Sequence, residues 1–151
     1  MISYRSIMQS TLLAAAVTLG GCGWMSSMTG GSDTATMKNQ LTGAQEVPPV
    51  TTGGTGTADT TFDKSTNVLT WTVTYAGLSG PVTAGHFHGP AAPGANAGVV
   101  VPFTGDLSSP IRGKATLTAA QAADLTAGRW YVNLHTAKNP GGEIRGQVTA
   151  K

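Results

Sequence analysis

Three histidines are the whole histidine content of the chain, and their spacing points to one shared site. His86 and His88 stand two apart in Thr83-Ala-Gly-His-Phe-His-Gly-Pro90, and His135 ends the alternating run Arg129-Trp-Tyr-Val-Asn-Leu-His135. Side chains two apart on a strand project to one face. Pairing of the two segments in one sheet therefore predicts a face carrying His86, His88, Tyr131, Asn133 and His135. Three neutral imidazoles converging on a point suit zinc or copper, with a fourth position open to water or a carboxylate. Glu143, Glu46 and Asp106 are the carboxylates to fill that position or to support the rings, with Tyr131, Asn133 and Arg145 around them. The competing reading is a hydrogen-bonded network of the same groups that only locks the sheet. Arg145 opposes a bound cation unless Glu143 neutralises it. The two, also two apart, read equally as a surface salt bridge worth under about 1 kcal/mol.

The elements that must position these residues are strands. Val68-Leu-Thr-Trp-Thr-Val-Thr-Tyr75 alternates apolar residues with threonine and predicts a half-buried strand. Gly56–Asp63 precedes it across the turn residues Lys64–Asn67, which predicts a hairpin. Leu41–Val47 reads as a first strand stopped by Pro48 and Pro49. Further strands are expected over Val82–His88, Gly98–Phe103, Ile111–Leu117, Arg129–His135 and Glu143–Ala150, with a loop over Gly89–Asn96. Thr118 and Gln121 have capping-box spacing and predict a helix over Ala119–Thr126, ended by Gly128. In the last hairpin, a connection over Thr136–Gly142 sets His135 near Glu143, Asn133 near Arg145 and Tyr131 near Gln147. That register sends Trp130, Val132, Leu134, Ile144 and Val148 to the opposite, core face. About eight short strands and one short helix predict an all-β fold, an antiparallel, Greek-key-like β-sandwich.

The ends and the composition bound the setting. Ile7–Leu19 is an apolar stretch behind Arg5, shorter than the roughly 20 residues of a membrane span and suited to a signal peptide. It closes on Leu19-Gly-Gly-Cys22, which resembles the lipobox of bacterial lipoproteins. Cys22 is the single cysteine, so no internal disulfide exists, and lipidation is the expected use of its thiol. The expected organisation is a leader over residues 1–21, a Gly/Ser/Thr-rich tether over 22–37 and one domain over 38–151. The expected location is an exported one. The lipid on Cys22 would tie the chain to a bacterial membrane, the outer membrane on its periplasmic side. Only 11% of residues are charged, and no basic run occurs, which argues against nucleic acid as a partner. A protein partner is left open. No nucleophile-elbow or phosphate-loop pattern is present, so nothing in the motifs points to an enzyme.

Four segments together resemble the CHRD (chordin-type) domain family: Leu41-Thr-Gly-Ala-Gln-Glu-Val-Pro-Pro49, Ala84-Gly-His-Phe-His-Gly-Pro-Ala91, Gly128-Arg-Trp-Tyr-Val-Asn-Leu-His-Thr136 and Asn139-Pro-Gly-Gly-Glu-Ile-Arg-Gly-Gln147. Phe87 departs from the aliphatic residue usual between the two histidines, and Trp130 and Leu134 are variants in the closing strand. The resemblance implies a β-sandwich over about Lys38–Val148 and says little about activity. His86, His88, His135, Glu143 and Arg145 all fall within the segments that mark the family.

Overall fold

The computed structural model describes residues 33–150. The leader, Cys22 and most of the expected tether lie outside the described residues. Eight strands are present: β1 Thr34–Thr42, β2 Thr55–Asp63, β3 Val68–Ala76, β4 Val82–His88, β5 Val99–Pro102, β6 Ile111–Thr116, β7 Trp130–Thr136 and β8 Ile144–Val148. One helix, α1, spans Ala119–Thr126. The strands form a single antiparallel sheet in the order β5-β4-β7-β8-β1-β2-β3-β6. β4 leaves its sequence neighbour β3 for the far side of the sheet, and β6 returns beside β3, a Greek-key-like crossing. Trp71 of β3 meets Phe87 of β4 and Phe103 just beyond β5, each with ring centroids 5.3 Å apart. Residues far apart in the strand order thus share one core, and the sheet folds over to near closure.

Local sequence explains the regular parts. Leu69, Trp71 and Val73 are buried while Thr70 and Thr74 are exposed, as period-2 alternation requires. The β2–β3 turn is held by the Asp63 carboxylate, which accepts from the backbone N–H groups of Ser65 and Thr66 at 2.8 and 3.1 Å. Asn67, at φ 56°, takes the left-handed position that Asn tolerates. At the start of α1 the Thr118 hydroxyl accepts from Gln121 N–H, and the Gln121 side chain accepts from Thr118 N–H. Gly128, at φ 70°, follows the helix end.

The beginning of the domain differs from the expectation. β1 runs over Thr34–Thr42, and Gly43–Gln45 is a 3-10 turn, so Leu41–Val47 is not a strand. Met37, Asn39 and Leu41 are the inward residues of β1. The strand therefore uses the last four residues of the stretch assigned to the tether. Threonine-rich Thr34-Ala-Thr-Met37 lacks an apolar pattern of its own and becomes a strand by pairing along the whole of β2. Gly43 turns the chain where a Cβ would strike the Val50 carbonyl and the Thr52 side chain.

Candidate metal centre

The β4–β7 pairing places His86 opposite Asn133, His88 opposite Tyr131 and Ala84 opposite His135. The three imidazoles lie together. Ring centroids are 5.0 Å apart for His86 and His135, 5.3 Å for His86 and His88, and 6.4 Å for His88 and His135. One ring nitrogen from each lies within 4.8 Å of the other two. Three atoms so placed share a point within about 2.8 Å of each, against Zn–N distances of about 2.0–2.1 Å in an occupied site.

Backbone carbonyls decide how two of the rings present themselves. His88 Nδ1 lies 3.0 Å from Ala97 O, and His135 Nδ1 lies 2.9 Å from Pro140 O. A carbonyl only accepts, so each ring carries a proton on Nδ1, and His88 is left with a lone pair at Nε2. His88 Nε2 is buried and has no hydrogen-bond partner. His135 Nε2 faces His86 Nδ1 at 3.2 Å and Asn133 Oδ1 at 3.0 Å. Burial holds His86 and His88 below the ordinary histidine range, with the neighbouring histidines adding to the effect. Both rings are therefore neutral at pH 7, the form that ligates a metal.

The surrounding groups divide into two sets. Tyr131 stacks on His88 with centroids 4.8 Å apart and planes 2° from parallel. The Arg145 guanidinium lies over the Tyr131 ring, 3.4 Å from its centroid. Glu46 is buried, and its Oε1 has no hydrogen-bond partner. It sits beside Asn133, because a Cβ on Gly142 would touch both Glu46 Oε1 and Asn133 Nδ2. Burial pushes the Glu46 carboxyl up to about 7, against the opposing pull of Arg145 and Asn133.

Glu143 does not join the histidines. It precedes β8 and turns its carboxylate toward Thr136, away from the His135 side of β7. There it accepts from the Thr52 and Thr136 hydroxyls and from both the backbone N–H and hydroxyl of Ser79, at 2.5–2.8 Å. Burial alone would raise its pKa, but those hydrogen bonds outweigh it and hold the group at about 2. Glu143 pins the loops before β2 and β4 to β7. Asp106 is exposed and accepts from Ser108 N–H, with no part in the cluster. The surface salt bridge between Glu143 and Arg145 is also absent: both are buried and hold different partners.

The cluster is roofed, which alternation does not predict. Every residue of β7 is buried on both faces, and the cover comes from two loops. Asn96 donates to Val47 O at 2.9 Å, and Arg145 donates to Asn96 Oδ1 at 2.9 Å and Ala95 O at 2.6 Å. Ala97 N–H donates to the Tyr131 hydroxyl at 3.2 Å. Asn96, Ala97 and Pro140 were not singled out by sequence reasoning. Two of them act through backbone carbonyls, which leave no side-chain signature. Asn96 could have been noticed as the one amide in a loop of Gly, Pro and Ala.

The rest of the register is as alternation predicts: Tyr131 faces Gln147 and Asn133 faces Arg145. Trp130, Val132, Leu134, Ile144 and Val148 are all fully buried in the core. No curated protein and no solved structure matches the chain. The family model for the CHRD domain matches residues 37–148, the span of the sheet together with its histidine cluster. This chain belongs to the CHRD domain family.

Proposed function

We propose that the domain is a binding module that holds a transition metal, copper or zinc, through His86, His88 and His135. The observation that carries this reading is the buried Nε2 of His88, a lone pair without a partner, on a ring whose other nitrogen is fixed by Ala97 O. Metal-ligating histidines commonly donate their second ring N–H to a carbonyl, which sets tautomer and orientation. His135 Nδ1 is likewise held by Pro140 O, while its Nε2 is shared between Asn133 and His86. A buried acceptor left unpaired costs about 1–3 kcal/mol, and a cation at the convergence point would offset that cost.

The same reading includes the anchor. Cys22 would be lipidated after export and would tether the module to the outer membrane, on its periplasmic face. Acyl chains stabilise anchoring by about 0.8 kcal/mol per buried methylene. A protein partner would meet the module at the membrane surface.

Thermal unfolding of chelator-treated protein with and without added Zn(II) or copper tests the site. Metal at 100 times its dissociation constant contributes about 2.7 kcal/mol, which corresponds to a rise of roughly 10 °C for a domain of this size. His88→Ala should abolish the rise. One observation favours a second reading, a purely structural network: His86 Nδ1 and His135 Nε2 already stand at hydrogen-bond distance. In that case no metal raises the midpoint, and His88→Ala lowers it equally in chelator and in metal.

A further inference from the structure

Arg145 is the unusual member of the cluster. It is 2% exposed, and its hydrogen bonds go to neutral oxygens on Asn96 and Ala95. Among the described residues no carboxylate forms an ion pair with it. A buried cation normally has a counter-ion, because desolvation of a lone charge is expensive. Glu46 is the carboxyl group that feels Arg145, yet burial drives it toward its neutral form. The guanidinium is stacked on Tyr131, and Tyr131 is stacked on His88, so its charge is aimed across one aromatic ring at the histidines. None of the three histidines is anionic. An ion held by them would keep its full charge and face an unneutralised positive neighbour.

We infer that this centre, on the metal-binding reading proposed above, selects by ionic charge and holds copper as Cu(I) in preference to Cu(II) or Zn(II), with Arg145 setting the preference. Imidazole is a competent donor to copper, and closed-shell Cu(I) is satisfied by three nitrogen donors without an anionic fourth. At roughly 8–10 Å and an effective dielectric of about 20, one charge changes the ratio of divalent to monovalent affinity by about 20-fold. Arg145 acts through the field at the site and not as a ligand. It is a positioning and tuning residue.

The test uses the full-length purified protein and the metals alone. Cu(I) is titrated anaerobically against a chromophoric Cu(I) chelator, and Cu(II) and Zn(II) are titrated against a carboxylate chelator. The reduction potential of the copper-loaded protein is measured alongside. The expected result is a bound-copper potential more positive than that of hydrated copper, with Cu(I) displacing Zn(II). Arg145→Met should improve Cu(II) and Zn(II) binding relative to Cu(I) by about 20-fold, a fall of about 77 mV for this one-electron couple. Arg145→Lys should restore most of the difference. Glu46→Gln fixes the neutral form of this carboxyl, so it should raise the potential only above about pH 7, where the wild-type group ionises beside Arg145, and it keeps the test open if Arg145→Met does not fold. A wild-type potential below that of hydrated copper, or a folded Arg145→Met with an unchanged ratio, overturns the inference while leaving a metal site intact. Failure to bind any of the three ions overturns the metal reading itself.

Discussion

At the scale of single residues, the two buried glutamates show how one side-chain type is put to opposite ends. Glu143 receives hydrogen bonds from two threonine hydroxyls and from Ser79 and stays ionised down to about pH 2. Glu46 has an orphan oxygen, and burial raises it to about 7. The sign of its effect follows from linkage. Its folded pKa lies above the free value, so the folded state binds the proton more tightly, and stability falls as pH rises from 4.5 through 7. Glu46→Gln should therefore gain on the wild type across that window, by up to about 3 kcal/mol at pH 8 and by little at pH 4. His86 and His88, held below their ordinary value, work with the opposite sign, losing stability as pH falls below 6.5. Both proteins share that term, so it cancels in the difference. Chemical denaturation of the pair at pH 4, 6 and 8 measures it, and a constant difference would show that Glu46 is solvated.

At the scale of elements, strand propensity and tertiary packing disagree at Gly113. This residue is in β6, opposite Trp71 in β3, where a β-branched residue would ordinarily favour the strand. A Cβ there would run into the six-membered ring of the Trp71 indole. Trp71 in turn packs against Phe87 and Phe103 and has little room to move. Gly113→Val should destabilise by about 1–3 kcal/mol despite its better propensity, read as a lower denaturation midpoint. A neutral or stabilising result would mean that the Trp71 cluster can shift. The last hairpin is the element most fully determined by its own residues. Only one register buries Trp130, Val132, Leu134, Ile144 and Val148 together, and it is the register observed.

At the scale of the whole domain, the candidate centre depends on loops that belong to no strand. The segment around Glu46 and the Gly89–Gly98 connection close over β7 and β8. They meet at Asn96, which bridges Val47 O and Arg145. The same connection supplies the Ala97 carbonyl that orients His88. Asn96→Ala should cost about 1–3 kcal/mol, because it leaves a buried guanidinium donor and a carbonyl unpaired. If the centre binds metal, affinity should also fall about 10- to 100-fold, the usual price of disturbing a ligand's support. Urea denaturation and a Zn(II) or Cu(I) titration of the variant measure the two effects. Lost stability with unchanged affinity would separate the roof from the site.

The residues by themselves determined the all-β class, the hairpin registers, the capped helix and the common face of His86 and His88. Each of these follows from period-2 alternation or from local hydrogen bonding, interactions between near neighbours or between partners that one register fixes. The pairing of β4 with β7 that brings His135 to them was settled by the tertiary structure. Tertiary structure alone decided where β1 begins, because Thr34–Met37 has no pattern until β2 lies beside it. It also decided the separate fates of Glu46 and Glu143, one buried with an unpartnered oxygen and the other surrounded by hydroxyl and N–H donors. The tautomer of His88 and the orientation of His135 were decided there too, by carbonyls of Ala97 and Pro140 that every residue type possesses and no sequence motif marks. Long-range contacts and backbone acceptors carry no periodic signature, and in this protein they are what orients the histidines.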